Sequence, residues 1–256
     1  MKVDYIKCTD LMAQDGLNSL DNNSIKLIIT SPPYNTTRNH LDDRGYDIYQ
    51  DDKSVEDYIE WTIQIFNAFD RILDNNGVIL YNLSTGAENN EQMWLLLAEI
   101  IKRTSFTISD VLVWKKTHAM PNPMSKNKTT RICEYIFVIS RKSEYKTFDM
   151  NKKPKSYRKT GQPNYENVYN FIEAKNNDGT CALNKATFST ELASKLIDMY
   201  SLNEEDIILD PFMGTGTTAC AAIMKNRHYI GFEISDAQVN YAIDRINNLK
   251  NSMGDK

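Results

Sequence analysis

Residues 208–222 read ILDPFMGTGTTACAA. Its apolar first residues predict the end of a buried strand, its glycines predict a tight turn, and its last residues predict a helix. Gly214 and Gly216 allow positive φ and a close approach of the backbone to a ligand. The following helix would direct its free amides and the positive end of its dipole at that ligand. The stretch therefore predicts an α/β protein with a ligand site at this turn.

A carboxylate stands at the end of the next predicted strand, YIGFE at 229–233. Glu233 lies about 20 residues beyond the glycine turn, where an acid can accept hydrogen bonds from both ribose hydroxyls of a nucleotide. NAD and S-adenosylmethionine (SAM) both contain this ribose. Asp210, at the tip of the preceding strand, would repel the pyrophosphate of NAD, but it could face the methionine ammonium of SAM, directly or through water. The residues therefore favour SAM and leave NAD as the alternative.

The rest of the chain alternates apolar runs with amphipathic stretches, which is typical of an α/β fold with a mostly parallel sheet of about seven strands. The predicted strands are 4–8, 26–30, 78–82, 110–116, 134–142, 206–210 and 229–233. The predicted helices are 54–73, 91–103, 189–201, 217–226 and 236–250. Between 143 and 180 this periodicity is lost, and lysine, asparagine and tyrosine dominate. We interpret the irregular segment as a small insertion.

A second motif, TSPPYN at 30–35, directly follows the apolar run KLII. Prolines lack the donor that a strand ladder needs, so the strand is expected to end there in a stiff turn. Ligands of open α/β sheets bind at the carboxyl ends of strands, and we therefore expect this turn and the glycine turn to share one crevice. The Ser31 hydroxyl and the Pro32 carbonyl can accept both hydrogens of a planar amino group. The nitrogen lone pair would then turn toward the SAM methyl, while Tyr34 stacks on the base.

Taken together, TSPPYN and DPFMGTGTT resemble the motifs of the SAM-dependent DNA amino-methyltransferases, which methylate N4 of cytosine or N6 of adenine. The motif order, with the catalytic turn first, resembles the circularly permuted β group of that family. The resemblance covers the whole chain and implies a Rossmann-like methyltransferase sheet that receives a base flipped out of the duplex. It also implies a catalytic half at 1–142, a target-recognition insert at 143–183 and a SAM-binding half at 184–256.

The resemblance assigns roles to individual residues by motif. Four of them would hold the flipped base: Ser31, Pro32, Pro33 and Tyr34. Eight would surround SAM: Asp10, Phe188, Asp210, Phe212, Gly214, Gly216, Thr217 and Glu233. Asp10 would lie near the adenine amino group, and Phe188 would pack on the cofactor, although Asn184 and Ser189 stand where the family has His and Pro. Serine at the first position of the catalytic motif favours N4 of cytosine and leaves N6 of adenine as the alternative.

The charge of the chain is uneven, although its formal net charge is −4. Residues 115–175 contain 14 Lys and Arg against 5 Asp and Glu. Such a basic island predicts a localised contact with a polyanion, here DNA. The expected phosphate contacts are Lys115, Lys116, Lys126, Lys128, Arg131, Lys152, Lys153, Lys155, Arg158 and Lys159. These contacts would set position rather than sequence and would weaken with salt.

Cysteine and histidine spacing predicts no metal site. The seven residues are scattered along the chain: Cys8, Cys133, Cys181, Cys220, His40, His118 and His228. No apolar run approaches the ~18 residues of a membrane span, and the first residues lack the apolar stretch of a signal peptide. We therefore expect a cytoplasmic protein that contacts no membrane, and the resemblance to the DNA amino-methyltransferases implies a protein of a prokaryote or phage that binds DNA.

Two other functions remain alternatives. An NAD-dependent oxidoreductase would share the glycine turn but would leave TSPPY and the basic island unexplained. A non-catalytic nucleic-acid binding module would keep the fold, although the intact Ser31, Tyr34, Asp210 and Glu233 disfavour it. The sequence leaves open the recognition site, a cognate restriction endonuclease as partner, an orphan role and a homodimer.

Overall fold

The structure is a computed structural model that describes residues 2–35, 52–85, 91–119, 121, 126–179, 183–184 and 187–254. The strands are β1 (Tyr5–Cys8), β2 (Ile25–Thr30), β3 (Leu73–Leu83), β4 (Phe106–Lys116), β5 (Cys133–Arg141), β6 (Pro154–Tyr157), β7 (Pro163–Tyr165), β8 (Phe171–Ala174), β9 (Ile207–Asp210) and β10 (His228–Glu233). The helices are α1 (Val55–Ile72), α2 (Gln92–Arg103), α3 (Thr190–Tyr200), α4 (Thr217–Met224) and α5 (Asp236–Gly254). Two short 3₁₀ turns occupy Leu17–Ser19 and Lys142–Glu144.

Eight of the described strands form one sheet in the order β1-β10-β9-β2-β3-β5-β4-β8. All neighbours run parallel except β5, which is antiparallel to both β3 and β4. The predicted mostly parallel α/β sheet is therefore confirmed. About seven strands were expected, and the additional strand is β8 at one edge, inside the segment interpreted as an irregular insertion. Strands β6 and β7 form a separate antiparallel ribbon.

The central strands are apolar on both faces because helices cover both sides of the sheet. Within β2, Ile28 belongs to one core cluster, whereas Leu27 and Ile29 belong to the other, as the alternation of side chains along a strand requires. The first cluster joins the sheet to α1 and α2, and the second joins it to α3, α4 and α5. None of the helices in the described part of the chain is both long and apolar enough to cross a membrane.

Helix α1 shows how local sequence sets an element. Ser54 caps it by accepting a hydrogen bond from the Asp57 amide at 3.0 Å, and its apolar residues at spacings of three and four are buried. The prediction of a helix at 54–73 is therefore confirmed. Strand β3 begins earlier than predicted, at Leu73 instead of 78, because Leu73 already pairs with Ile25 of β2. The predicted break at NNG lies within this strand, where Asn76 has φ +55°.

Candidate active site between two strand ends

The proline turn and the glycine turn lie side by side. Strands β2 and β9 are parallel neighbours, with Ile28 opposite Leu209, so both turns leave the same edge of the sheet. The Thr30 hydroxyl, at the end of β2, donates a hydrogen bond of 2.9 Å to Asp210 Oδ1, at the end of β9. The predicted shared location of the two motifs is therefore confirmed.

Asp210 ties these two turns together from inside the protein. Its Oδ1 also accepts from the Phe212 amide at 3.1 Å, and its Oδ2 accepts from the Thr218 hydroxyl at 2.6 Å. Burial raises the pKa of Asp210 to about 6, although the hydrogen bonds from Thr218, Thr30 and Phe212 oppose this rise. Asp210 is only 2% exposed and both of its oxygens bind protein donors. The expectation that it faces a methionine ammonium, directly or through water, stays a prediction.

The glycine turn requires left-handed backbone at both glycines. Gly214 has φ +53° and Gly216 has φ +82°, and Gly216 is the N-cap of α4. A Cβ on Gly216 would lie 2.9 Å from the Cβ of Ala242 in α5, and one on Gly214 would lie 3.2 Å from Asn184 Nδ2. The predicted positive φ is therefore confirmed at both glycines, and the close approach of this backbone to a ligand stays a prediction.

Arg245 holds the far side of this turn from helix α5. Its Nη1 donates to the Thr215 carbonyl at 3.2 Å and to the Thr217 hydroxyl at 3.1 Å, and its Nη2 pairs with Asp178. Thr217, predicted to line the cofactor, is buried with its hydroxyl against Arg245. The sequence analysis did not identify Arg245, because an arginine on an amphipathic terminal helix is typical of a solvated surface.

Glu233 lies at the end of β10, next to the glycine turn. Its Oε2 accepts from the Gly214 amide at 2.9 Å, and its Oε1 accepts from the amides of Ile234 and Ser235 at 2.9 and 3.0 Å. Asp10 follows β1, which pairs with β10 so that Cys8 lies opposite Glu233. Asp10 is exposed on the same edge and accepts a hydrogen bond from the Met12 amide. Both predicted acids therefore lie at the carboxyl edge of the sheet that the glycine turn also occupies.

Aromatic residues connect the two turns. The Phe212 ring lies 5.5 Å from the Trp61 ring, which in turn lies 5.8 Å from the Tyr58 ring, measured between centroids. The Tyr58 hydroxyl donates a hydrogen bond of 2.7 Å to the Pro33 carbonyl. Tyr58 and Trp61 were missed, because aromatic residues near the start of an amphipathic helix are typical of a core. Phe188 is 9% exposed and belongs to the cluster between the sheet and α3–α5.

Side chains from three further strands surround the catalytic turn. Ser31 Oγ donates to the Tyr34 hydroxyl at 3.0 Å. Asn82 Nδ2, from β3, donates to the Tyr34 hydroxyl at 2.7 Å and to Glu134 Oε2, from β5, at 2.8 Å. Glu134 Oε1 forms an ion pair with Lys116 of β4. Asn82 and Glu134 were missed, although a polar residue inside an otherwise apolar strand is the signal that could have identified them.

The backbone of the catalytic turn is also held by side chains. Gln92 Nε2, at the start of α2, donates to the Tyr34 carbonyl at 2.9 Å. Asn35 adopts φ +53° and donates to both the Lys53 carbonyl and Gln92 Oε1 at 2.9 Å. These bonds fix the direction in which the chain leaves the two prolines.

The basic residues that were predicted to contact phosphates differ in their surroundings. Lys115 pairs with Glu173 at 3.0 Å, and Lys116 pairs with Glu134 and lies 5.1 Å from the centroid of the Trp114 ring. Lys116 therefore lies beside the hydrogen bonds of Tyr34, and its contact with a phosphate stays a prediction. Arg131 is exposed and donates to the Thr85 carbonyl. Lys152 is half-buried, and the remaining basic candidates are exposed: Lys126, Lys128, Lys153, Lys155, Arg158 and Lys159.

The β6–β7 ribbon carries exposed aromatic rings beside its basic residues. Tyr157 and Tyr165 are 68% and 53% exposed, and Tyr169, just beyond the ribbon, is 75% exposed. Arg158 Nε donates to Asn164 Oδ1 at 2.8 Å across the turn of the ribbon. Exposed tyrosines among cations suit stacking on bases together with phosphate contacts. The abundance of tyrosine and lysine in this segment was visible in the sequence, but the ribbon was not.

The histidines and cysteines of the described residues are dispersed. Those residues contain no group of three or more His, Cys, Asp or Glu side chains arranged to hold a metal ion. His228 contacts Asp4 with its Nδ1, 2.9 Å from the carboxylate, at the opposite edge of the sheet from the two turns. His40 and Cys181 lie outside the described residues.

The sheet and the two neighbouring turns define an α/β enzyme of the methyltransferase class. Residues 25–244 match the family described as DNA methylase, with N6 and N4 methyltransferases as its members, and the chain therefore belongs to that family. One relative is the type II methyltransferase M.Cfr9I of Citrobacter freundii. It is 24% identical over 261 residues, covering 90% of this chain and 84% of the relative.

Solved structures share the fold. The PvuII DNA methyltransferase, described as cytosine-N4-specific, superimposes with a TM-score of 0.70 at 16% identity, covering 98% of this chain and 92% of the other. TTHA0409 of Thermus thermophilus, solved in complex with SAM, gives a TM-score of 0.62 at 21% identity, covering 96% and 94%. At these identities the likeness shows a common architecture.

Proposed function

We propose that this DNA methylase transfers a methyl group from SAM to the exocyclic amino group of a base flipped out of DNA, with N4 of cytosine as the favoured target. The observation that carries the proposal is the adjacency of the TSPPY and glycine turns, joined by the hydrogen bond between Thr30 and Asp210. A cofactor held over one turn would therefore meet a base held over the other.

The residues around the glycine turn fit SAM. Gly214 and Gly216 bring backbone without a side chain to the edge of the sheet, and the half-buried Glu233 places a carboxylate beside them for a ribose. Asp10 lies on the same edge, where it could accept from an adenine amino group. SAM supplies the electrophilic methyl on its sulfonium. The structure of TTHA0409 with SAM, which has the same architecture, supports this choice.

The catalytic turn supplies the environment of the nucleophilic nitrogen. Acceptance of its hydrogens by Ser31 Oγ and the Pro32 carbonyl would draw electron density onto nitrogen and turn its lone pair toward the methyl. Tyr34 provides a ring for stacking, at ~1–3 kcal/mol per base. No covalent bond between base and protein is needed for this displacement.

Cytosine is favoured by the first residue of the catalytic motif. Ser31 is the residue that the family uses more often for N4 of cytosine, whereas aspartate is commoner for N6 of adenine. The PvuII methyltransferase, described as cytosine-N4-specific, has the same fold as this chain. N6 of adenine is the second candidate, because either target presents an amino group with two hydrogens to the same acceptors.

DNA would bind across the basic and aromatic surface of the segment 143–183. The exposed lysines and Arg158 of the ribbon would contact phosphates, and Tyr157, Tyr165 and Tyr169 would contact bases.

We extend the proposal to a cognate restriction endonuclease as cellular partner, since M.Cfr9I is a type II methyltransferase. A homodimer stays a prediction. Membership of the DNA methylase family speaks against the NAD-dependent alternative.

The test is direct product analysis. The protein is incubated with SAM and unmethylated genomic DNA, and the DNA is digested to nucleosides for mass spectrometry. We expect N4-methylcytosine. Detection of N6-methyladenine instead would replace the favoured target by the second candidate, and the absence of both products would refute the transferase function.

The variant Ser31→Ala should lose most turnover while it still binds SAM. Equal loss of SAM binding and turnover would contradict the role of Ser31.

A further inference from the structure

We propose that Asn82 and Glu134 are positioning residues that fix the direction of the hydrogen bond between Ser31 and Tyr34. Ser31 then presents only lone pairs to the target amino group. This inference rests on the proposed function, because it concerns how the catalytic turn receives the base. It is carried by the contacts of five side chains: one each from β3, β4 and β5, and two from the turn itself.

The orientation of the Asn82 amide is determined by its neighbours. Its Nδ2 lies 2.7 Å from the Tyr34 hydroxyl and 2.8 Å from Glu134 Oε2, so both amide hydrogens have acceptors. The reversed amide would place Oδ1 against the carboxylate, where two acceptors would repel each other. Asn82 is 5% exposed and is therefore held away from bulk water in this orientation.

The orientation of Asn82 then determines which group donates in each hydrogen bond of Tyr34 and Ser31. The Tyr34 oxygen receives a hydrogen from Asn82, while Glu134 Oε2, which only accepts, lies 3.5 Å from the same hydroxyl and attracts its proton. Tyr34 therefore accepts from Ser31 Oγ, 3.0 Å away, instead of donating to it. With its single proton committed to Tyr34, Ser31 offers lone pairs to an amino hydrogen. If Tyr34 instead donated to Ser31 Oγ, the Ser31 proton would be free to point at the amino group of the base, which is itself a donor.

Lys116 is the ion-pair partner of Glu134. The two side chains are 25% and 13% exposed. A carboxylate has no hydrogen to donate, so Glu134 can only accept from Asn82, Tyr34 and Lys116. Glu134 lies opposite Trp114 on the β4–β5 ladder, and Asn82 lies opposite Ile136 on the β3–β5 ladder. Three paired strands therefore hold the network, which gives it the rigidity that a positioning role demands.

A double-mutant cycle tests this inference. Glu134→Gln introduces an amide that can donate to Tyr34, and Tyr34→Phe removes the hydroxyl but keeps the ring. We expect each single variant to lower kcat about tenfold at saturating DNA, with the KM for SAM unchanged. Because Glu134 acts through the Tyr34 hydroxyl, the double variant should be no slower than Tyr34→Phe. Losses that multiply to about a hundredfold would overturn the proposal.

Control variants separate positioning from folding. Glu60→Gln removes one charge of the ion pair with Arg103 on α1 and α2 and should keep the wild-type kcat. If Glu134→Gln does not fold, the cycle is repeated with Tyr34→Phe and Ser31→Ala, where Tyr34→Phe should cost nothing in the Ser31→Ala background. A further loss there would also overturn the proposal. A wild-type protein that transfers no methyl group would refute the proposed function and this inference together, whereas an active wild type with multiplying losses would refute only this inference.

Discussion

Single buried polar side chains decide the geometry of the candidate site. Asp210 receives hydrogen bonds from Thr30, Phe212 and Thr218, and it thereby joins a strand end, a turn and a helix start. Asn82 joins Tyr34 to Glu134 in the same way. A buried carboxylate or amide is costly without partners, so each of these residues specifies one arrangement of the groups around it.

The raised pKa of Asp210 predicts a pH-dependent contribution to stability. Because the folded pKa, about 6, lies above the unfolded value, the folded state binds the proton more tightly. The contribution is therefore fully present below about pH 4 and is lost as the pH rises to about 6. The free energy of unfolding of the wild type relative to Asp210→Asn should fall by up to ~3 kcal/mol over this range. Urea denaturation of both proteins at several pH values measures this difference, and a constant difference would contradict it.

Gly216 predicts a packing effect that can be separated from backbone strain. An alanine at Gly216 would be strained at φ +82°, and its Cβ would lie 2.9 Å from that of Ala242. Gly161, in the ribbon turn, has φ +81° with no described atom within 4 Å of the added Cβ. We expect Gly161→Ala to cost ~1 kcal/mol from strain alone and Gly216→Ala to cost ~2–4 kcal/mol. Chemical denaturation of the two variants checks this, and equal losses would show that α4 and α5 separate freely.

At the scale of elements, the ribbon β6–β7 is the main candidate for reaching DNA. It lies outside the main sheet, and its strand residues from Pro154 to Tyr157 are all exposed. Helix α1 has the opposite character, because Tyr58 and Trp61 at its start contact the two turns while the rest of its apolar face packs on the sheet. One element is therefore available to a large ligand, and the other stabilises the site.

The ribbon predicts a salt-dependent effect on DNA binding. Lys155→Ala combined with Lys159→Ala should weaken DNA binding and reduce the slope of log affinity against log salt by roughly 2, about one per lost phosphate contact. The value of kcat at saturating DNA should not change, because both lysines lie outside the catalytic turn. Fluorescence anisotropy with labelled duplex DNA at several salt concentrations measures the slope. Lys225→Ala with Lys250→Ala, near the opposite edge of the sheet, is the matched control, and an equal change there would refute a role for the ribbon.

At the scale of the whole molecule, the sheet brings together motifs that are far apart in the chain. Thr30 and Asp210 are separated by 180 positions, and the pairing of β2 with β9 makes them neighbours. The order of the two motifs in the chain has no effect on this geometry, because parallel strands present their carboxyl ends at one edge whatever their order.

Cofactor binding should therefore stabilise the whole domain. SAM at about 100 times its Kd adds ~2.7 kcal/mol to the free energy of unfolding. For a chain of this size, this corresponds to a rise in Tm of roughly 5–10 °C. Differential scanning fluorimetry with SAM, and with NAD at the same concentration as the control, measures the shift. A larger shift with NAD would contradict the assignment of the glycine turn to SAM.

The sequence by itself determined the local units. Periodicity and capping gave α1 within one residue at each end, and the apolar run YIGFE gave β10. The two motifs also predicted a chemistry for the proline and glycine turns, because the residue types that each proposed role needs are contiguous. Such features depend on neighbours in the chain, and a single sequence contains them in full.

Only the tertiary structure decided which side chains meet. Strand β8 has four residues and gains its conformation from pairing with β4, so it has no strong local signal. Asn82, Glu134 and Lys116 come from three strands, and their hydrogen bonds depend on the register of those strands. The burial of Asp210 below the turn depends on its hydrogen bonds with Thr30 and Thr218, which lie on other elements. Contacts between distant residues depend on how elements pack, and that information is spread over the whole chain.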